Sequence, residues 1–503
     1  MIKDLCFITP EEAGLSANNI VEFIDSVKER KINLHSFMLV RDGKIFTEAY
    51  YKPIDKQFCH RLYSASKSYV SLAVGLLVTE GKVSVQDKIF TYFPQYAQAD
   101  DPYGWLRDLT IEHLLMMTFP GTGDDYWRKA TCTPAMRPCA LLQNDWTKEF
   151  FGNRQRWEKP NGTLWSYHSA ATNVLNELVE RLTGKDFLTY LRPVFDKIGV
   201  SKRIKCVQTP DGFSWGGSGV ICSLRDFAKV GEFLLNKGNV NGEQLIDREY
   251  MEKATSKMVD IIFDGYQHHC VGYGYQIWVH PYGYGMRGMG SELVYCFPDK
   301  NFLFVCQADT YAPNNSYEFM LYHELVDKLY KPMGDKLPEN KQANECLQAK
   351  LNNLSLLCGY GKATSPYMQK VDGQTYELSN NAMGIRWIRL HFEKDGGVLV
   401  YENERGQKEI PFGLERFVEF DFPETHYYDM QVCKEGNRKL HAVACGSWTM
   451  EHRLMIRVNV IDNSIGNVGM VFEFYENSVA VRFQKWAEAY LGEYEGFAVG
   501  RKK

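Results

Sequence analysis

The stretch SASKSYVSLAVGLLVTEG, residues 64–81, carries the strongest structural signal in this chain. Apolar side chains surround its whole circumference at helical spacing, which predicts a helix that is buried on all sides. The stretch begins with Ser64-Ala65-Ser66-Lys67, and residues three apart share one face of a helix. The Lys67 ammonium can therefore reach the Ser64 hydroxyl.

Two interpretations of this tetrad stay open. Ser64 can be an ordinary helix cap with Lys67 as a surface charge, and about two Ser-x-x-Lys matches arise by chance in a chain of this length. A lysine that enters an apolar helix needs a polar partner, however, which favours a functional pair. The free N–H groups at a helix N-terminus can also stabilise an oxyanion beside Ser64.

A second candidate segment is Tyr167-His168-Ser169, which lies just before a helix predicted over residues 171–183. A phenol ordinarily has a pKa near 10, so it is a poor base until a nearby cation favours the phenolate. Lys67 can supply that cation. By itself, a tyrosine in an aromatic-rich loop is more often a core or surface residue.

The third segment is glycine-rich, covers residues 284–291, and leads into a strand predicted over residues 292–296. Glycines at a strand entrance let a substrate or another backbone approach closely. Such an edge strand can give a second N–H group to an oxyanion. A plain glycine-rich turn is the alternative.

Taken in this order and at these separations, the three segments resemble the serine β-lactamase-related superfamily. The resemblance is to the branch of class C β-lactamases, DD-peptidases, and family VIII-type esterases and amide hydrolases. It covers about residues 8–330. Further stretches that fit the same pattern are residues 40–44, 76–83, 110–115 and 216–226.

The resemblance implies a β-lactamase/transpeptidase-like fold and acyl transfer in two steps. Ser64 attacks a carbonyl, Lys67 and Tyr167 move the proton, and water later releases the covalent acyl group. The implied substrate is a small-molecule ester or amide. The resemblance implies no metal and no organic cofactor.

Two departures from the family pattern bear on the substrate. Ser169 stands where the class C pattern has the asparagine of Tyr-x-Asn, and it has a shorter arm for a substrate amide. Met286-Arg287-Gly288 stands where Lys-Thr-Gly or His-x-Gly is expected. Arg287 can replace the missing cation for a carboxylate-bearing substrate.

We therefore predict substrate contacts at Ser169, Arg287 and the segment Gly288-Met289-Gly290. The departures favour an esterase, amidase or D-peptidase over a class C-like β-lactamase or penicillin-binding protein, which stays as an alternative. A binding protein that acylates without turnover is an alternative of another class. Intact Ser64, Lys67 and Tyr167 argue against a degenerate scaffold.

Composition excludes several other classes of protein. The 503 residues are 45% hydrophobic and 24% charged, as in folded soluble proteins, and the net charge is only −4. Nucleic acids and membranes are therefore not expected as partners. The N-terminus lacks a secretory pattern, and the 13 cysteines form no CxxC pair. We expect reduced thiols and a cytoplasmic location.

The chain predicts an α+β arrangement in two domains. Residues 1–331 form the hydrolase domain, an antiparallel sheet flanked by helices, and residues 332–345 form a linker with several prolines and charges. Residues 346–503 contain short runs with period-two alternation, which predict an all-β barrel. This part resembles a lipocalin-like barrel. Whether it caps the cleft, binds a ligand, mediates homo-oligomer assembly or simply supports the structure stays open.

Overall fold

In this computed structural model the chain divides into two compact units, one built on residues up to Leu354 and the other on residues from Ser355 onward. The residues that the structure describes are 6–97, 103–120, 146–152, 159–209, 212–261, 269–311, 316–423, 440–487, 491 and 494–503. Within these ranges, no helix combines the length and apolar character that crossing a membrane requires.

The first unit contains β1 (Leu34–Arg41), β2 (Lys44–Tyr50), β3 (His60–Arg61), β4 (Lys205–Cys206), β5 (Val220–Cys222), β6 (Asn239–Val240), β7 (Glu243–Gln244), β8 (Gly272–Tyr273), β9 (Trp278–His280), β10 (Gly283–Gly288), β11 (Glu292–Phe297) and β12 (Phe302–Ala308). Its main sheet has seven strands in the order β2-β1-β12-β11-β10-β9-β8, all antiparallel. A smaller sheet, β3-β5-β4, lies beside the start of the buried helix.

The helices of this unit are α1 (Ala17–Glu29), α2 (Ser66–Thr79), α3 (Ile111–Leu115), α4 (Trp146–Gly152), α5 (Ser169–Thr183), α6 (Phe187–Tyr190), α7 (Arg192–Ile198), α8 (Leu224–Leu235), α9 (Arg248–Ala254), α10 (Ser316–Leu325) and α11 (Lys341–Asn352). They flank both faces of the main sheet. On one face the Phe23 ring of α1 lies 5.6 Å from Phe37 and 6.0 Å from Phe304. On the other face Gly231 of α8 packs against Val294 and Leu303.

Asp42 and Gly43 form the tight turn between the antiparallel strands β1 and β2, with positive φ values of 51° and 70°. That pair of conformations matches a tight turn whose twist suits antiparallel strands. The helix predicted over residues 64–81 is also present, although a 3₁₀ turn precedes it and α2 begins at Ser66.

Two local features shape the ends of elements in this unit. β8 and β9 form a hairpin, in which Gln276 adopts a left-handed conformation with φ 59°. α1 begins after Ser16, whose side chain accepts from the Asn18 N–H group as a helix cap.

The second unit contains the short helix α12 (Met368–Val371) and the strands β13 (Thr375–Leu378), β14 (Trp387–Glu393), β15 (Gly396–Asn403), β16 (Gly406–Leu414), β17 (Val418–Asp421), β18 (His441–Met450), β19 (Arg453–Ile461), β20 (Ile465–Phe474), β21 (Ser478–Trp486) and β22 (Gly496–Lys502). They form one sheet, β16-β15-β14-β13-β22-β21-β20-β19-β18-β17. A parallel pairing of β16 with β18 closes nine of them into a barrel, with β17 on the same edge of β18.

The barrel interior follows the period-two pattern of the sequence. On β19, Leu454, Ile456, Val458 and Val460 all enter one hydrophobic core, as alternation along a strand requires. The predicted α+β hydrolase-like fold followed by an all-β barrel is therefore confirmed.

The boundary between the units lies later than the predicted linker over residues 332–345. Residues 341–352 form α11, which belongs to the first unit. The helix is held there by an ion pair between Lys350 and Asp25 of α1, and by a hydrogen bond from Asn344 to Glu11 of 2.7 Å.

Cysteine usage matches the prediction at most described positions. Cys6, Cys59, Cys206, Cys222, Cys270, Cys296, Cys306 and Cys346 are free thiols. The exception lies in the second unit, where Cys358 and Cys445 form a disulfide with Cα atoms 5.6 Å apart. The prediction of reduced thiols throughout is wrong for this pair.

Candidate active site

Ser64 occupies a short 3₁₀ turn, Tyr63–Ala65, that leads into α2. From residue 60 to residue 77, Ser64 alone is partly exposed and every other residue is buried. The preceding Tyr63 has a φ of 46°, which a bulky residue rarely adopts. The backbone thus presents a single hydroxyl from an otherwise buried segment.

Arg61 fixes the turn that carries Ser64. Its guanidinium donates to the Ser218 carbonyl at 2.8 Å and to the Ser218 hydroxyl at 2.9 Å. The same group lies 4.6 Å from the centre of the Tyr63 ring and 4.4 Å from that of Trp215. Arg61 therefore joins the Ser64 turn to the glycine-rich segment around residue 217. No sequence signal marks Arg61, because one arginine in a strand has no distinctive pattern.

Lys67 projects from the first turn of α2 into the same region and is only 1% exposed. Its ammonium donates to the Ser64 hydroxyl at 3.2 Å and to the Gly217 carbonyl at 2.8 Å. A buried ammonium needs such acceptors, because leaving it unpaired would be very costly. The predicted contact between residues three apart on one helix is therefore present.

Tyr167 lies directly before the helix cap of α5 and is partly exposed. The centre of its ring is 4.9 Å from the Lys67 ammonium. The ring stacks on Trp278 of β9 at 5.5 Å, and both belong to an aromatic cluster that includes Trp165 and Tyr273. The structure thus brings Tyr167 next to Lys67, the hydrogen-bond partner of Ser64, although Tyr167 lies about 100 residues later in the sequence.

His168, next to Tyr167, has a structural role. Its Nδ1 atom accepts from the Ala170 N–H group and caps α5. Burial lowers the pKa of His168 to about 3, and the positive charges of Lys67 and Lys159 act in the same direction. The imidazole is therefore neutral near pH 7, and its capping bond requires an unprotonated Nδ1.

The glycine-rich third segment approaches the Ser64 turn through Gly288, the last residue of β10. A β-carbon at this position would lie 2.1 Å from the Leu62 carbonyl oxygen, so only glycine fits. The neighbouring β9 pairs with β10 only at residues 283–285. Within the described part of the chain, residues 286–288 thus have a partner strand on one side only. Met289 is partly exposed, and Gly290 turns the chain with a φ of 82°.

Arg287, which is predicted to contact a substrate carboxylate, already has a carboxylate partner inside the protein. It is 5% exposed, and its guanidinium forms an ion pair with Glu318 of α10. It also lies 4.8 Å from the centre of the Trp278 ring and donates to Cys270 at 3.6 Å. Alternation along β10 turns Arg287 into the interior, where its charge already has a counter-ion.

Ser169 begins α5 and is buried near Gly217, with its β-carbon 3.5 Å from the position a Gly217 β-carbon would take. Its hydroxyl has no hydrogen-bond partner among the described residues. Ser169 therefore lies beside Gly217, whose carbonyl accepts from Lys67, and its predicted substrate contact stays a prediction.

The arrangement is suited to nucleophilic catalysis. A partly exposed hydroxyl contacts a buried ammonium, a tyrosine ring lies against that ammonium, and two backbone segments meet at Leu62 and Gly288 beside the hydroxyl. Covalent acyl transfer commonly requires a nucleophilic side chain with groups close to it that can move its proton.

Known proteins share the pattern of the first unit. The family model described as Beta-lactamase matches residues 22–325. The chain is 27% identical over 258 residues to the 6-aminohexanoate-dimer hydrolase of Paenarthrobacter ureafaciens, an alignment that covers 48% of this chain and 63% of that protein. It is 23% identical over 249 residues to an uncharacterized protein of Alkalihalophilus pseudofirmus, covering 44% of this chain and 64% of that one. The chain thus spans less than two thirds of the length of either curated relative.

Two of the similar solved structures have low sequence identity to this chain. One is EstCE1, a hydrolase with promiscuous acyltransferase activity, with a TM-score of 0.50, 15% identity, and coverage of 61% of this chain and 99% of that one. Another is the octameric penicillin-binding protein homologue from Pyrococcus abyssi, with a TM-score of 0.49, 14% identity, and coverage of 96% and 99%.

Proposed function

Because the chain belongs to the beta-lactamase family, we propose that it is a serine hydrolase that forms a covalent acyl-enzyme on Ser64. One observation carries the proposal. Ser64 is the single partly exposed residue of a buried segment, and its hydroxyl accepts a hydrogen bond of 3.2 Å from the buried Lys67 ammonium.

In the first step the Ser64 oxygen forms a bond to the substrate carbonyl carbon. The pair of Lys67 and Tyr167, which has lost one proton beforehand, accepts the hydroxyl proton and then returns it to the leaving alcohol or amine as the ester or amide bond breaks. In the second step water adds to the acyl carbon, its proton passes to the same pair, and Ser64 leaves with a proton restored.

The negative charge on the carbonyl oxygen needs donors that are already in place. The backbone N–H of Ser64 is one candidate, since the 3₁₀ turn sits at the N-terminal end of α2. A backbone N–H at the end of β10 is the second, and the close approach of Gly288 to Leu62 supports it.

The proposed substrates are small esters or amides. The Paenarthrobacter relative is named as a 6-aminohexanoate-dimer hydrolase, and the fold relative EstCE1 as a hydrolase with promiscuous acyltransferase activity. The internal pairing of Arg287 with Glu318 gives no support to a preference for anionic substrates. We propose no cofactor for the reaction.

The proposal is tested by incubating the full-length protein with a fluorophosphonate probe and mapping the adduct by mass spectrometry. We expect a single adduct on Ser64 and none in Ser64→Ala. Ser66→Ala is the matched control, because the Ser66 hydroxyl is buried and accepts from the Val220 N–H group. That variant should still be labelled at Ser64, and an adduct at any other residue would refute the proposal.

A panel of nitrophenyl esters, anilides and β-lactams then separates the classes of function. Steady release of product identifies a hydrolase and shows which bond it cleaves. One equivalent of product followed by no further release would instead identify an acyl-binding protein without turnover.

A further inference from the structure

Asn173 lies on α5, one helical turn after Ser169 and on the same face, and is 7% exposed. Its Oδ1 atom accepts a hydrogen bond of 3.3 Å from the backbone N–H of Gly217. Asn173 belongs to none of the sequence motifs described above.

Gly217 connects Asn173 to the nucleophile. Its N–H group is held by Asn173, and its carbonyl accepts the 2.8 Å hydrogen bond from the Lys67 ammonium. Lys67 in turn reaches Ser64 at 3.2 Å. A continuous series of three hydrogen-bonded contacts therefore runs from α5 to the reactive hydroxyl.

Tight packing around Gly217 restricts the geometry of these three hydrogen bonds. A β-carbon on Gly217 would lie 3.3 Å from the Asn173 Oδ1 atom and 3.3 Å from the Ser169 carbonyl oxygen. The backbone of Gly217 is thus pressed against α5, and the direction of its carbonyl depends on the helix side chain that it contacts.

An asparagine at position 173 would lower the stability of the fold if its only role were packing. Its Nδ2 atom is buried and has no hydrogen-bond partner among the described residues. A buried donor without a partner destabilises a protein, and an apolar residue of similar size would avoid that cost. The acceptor function toward Gly217 explains why an amide is present.

We propose that Asn173 is a positioning residue that fixes the Gly217 carbonyl and so holds the Lys67 ammonium beside Ser64. This inference rests on the proposed function, because it assigns to Asn173 a role in placing one member of the Lys67 and Tyr167 pair that moves the Ser64 proton. Asn173 thus supports the reaction through Gly217 and Lys67 and has no direct contact with Ser64.

Two substitutions separate positioning from simple packing. Asn173→Ala removes the acceptor, so Lys67 loses its fixed partner, and we expect kcat to fall at least tenfold with KM changed less than twofold. Asn173→Asp keeps the acceptor and the shape but adds a negative charge. A nearby carboxylate raises the pKa of a lysine and of a tyrosine alike. In Asn173→Asp, the acid limb of the pH–kcat profile should therefore move to higher pH, whether Lys67 or Tyr167 is the base. At high pH the rate should return toward that of the wild type.

The matched control is Asn176→Ala. Asn176 is 1% exposed on the same helix and donates to the Ser214 carbonyl at 2.8 Å, so it anchors the same loop without touching Gly217. We expect this variant to lose thermal stability but to keep kcat within threefold and the pH profile unchanged.

Parallel loss of activity in Asn173→Ala and Asn176→Ala, or an unchanged acid limb in Asn173→Asp, would overturn the inference. If Asn173→Ala fails to fold, the isosteric Asn173→Asp variant still decides the outcome through its pH profile. Fluorophosphonate labelling of the wild-type protein is run alongside. Labelling at Ser64 with no effect of Asn173 refutes only the positioning role, whereas absence of labelling at Ser64 refutes the proposed function itself.

Discussion

Gly288 and Leu62 meet through their backbones so closely that a β-carbon on Gly288 would stand 2.1 Å from the Leu62 carbonyl oxygen. The contact joins the end of β10 to the segment that carries Ser64 two residues later. The distance between the nucleophile and the β10 edge is therefore set by the absence of one side chain.

Gly288→Ala should push β10 away from the nucleophile turn. A displacement of about 1 Å at a reacting centre costs about 100-fold in rate, so we expect a loss of kcat/KM of at least that size. Steady-state kinetics on an activated ester measures the loss, and circular dichroism checks the fold. Gly334→Ala is the control, since a β-carbon there meets nothing within 4 Å. Near-normal kinetics in Gly288→Ala would show that the strand edge does not contribute to catalysis.

Lys67→Ala should reduce turnover about as much as Ser64→Ala, because groups that act as a unit give non-additive losses. The double variant should be no worse than either single variant. A mild effect of Lys67→Ala in single-turnover acylation assays would assign the proton acceptor to another group.

Tyr167→Phe keeps the ring that stacks on Trp278 and removes only the phenolic hydroxyl. General acid–base groups contribute about 100- to 10,000-fold, so we expect a fall in kcat within that range with little change in the unfolding temperature. Tyr273→Phe removes a hydroxyl from the same aromatic cluster and should leave kcat nearly intact. Equal losses in the two variants would argue against a role for the Tyr167 hydroxyl in proton transfer.

The buried ion pair of Arg287 and Glu318 should stabilise the fold and should not create a preference for anionic substrates. Removing one partner leaves an uncompensated buried charge, so Glu318→Gln should lower the free energy of unfolding by about 3–5 kcal/mol. Replacing both residues with apolar ones should recover much of that loss. Denaturant titration measures the stabilities. A greater loss of activity on anionic than on neutral esters in Arg287→Ala would restore the carboxylate-binding role predicted from the sequence.

Glu292 should make stability depend on pH. Burial raises the pKa of this carboxyl well above its usual range; a backbone hydrogen bond at Ala308 opposes the effect, and Asp309 adds to it. The folded protein keeps this proton above pH 4.5, whereas the unfolded chain loses it, so the contribution to stability falls as pH rises.

Glu292→Gln cannot titrate at this site, so its stability relative to wild type should rise from pH 4.5 to pH 7. The gain should be about 1.4 kcal/mol for each pH unit over which only the unfolded chain is ionised. Denaturant titrations at both pH values measure it, and Glu29→Gln, an exposed substitution on α1, should show no such trend. A constant difference between wild type and Glu292→Gln at the two pH values would mean that the buried carboxyl is ionised.

The sequence was informative where local pattern and burial act together. The apolar circumference of α2 located the helix, the tetrad at its start placed Lys67 on the face of Ser64, and alternation along β19 identified a barrel strand. Each of these features depends on residues within a few positions of one another.

The remaining features depend on contacts between distant segments. Asn173 and Gly217 are 44 residues apart and form no recognisable motif. The inward direction of Arg287 depends on the pairing register of β10 and on Glu318, which belongs to another element. The barrel strand Gly406–Leu414 contains Pro411 and two glycines, which weaken the β pattern in the sequence.

Ser64 is the only partly exposed position between residues 60 and 77, although Ser66, Ser68 and Ser71 lie on the same stretch. A covalent inhibitor therefore does not need a reactive group that distinguishes among these serines, because three of the four are buried. Its selectivity can come from the part of the inhibitor that binds around Ser64, and its reactive group can have low intrinsic reactivity.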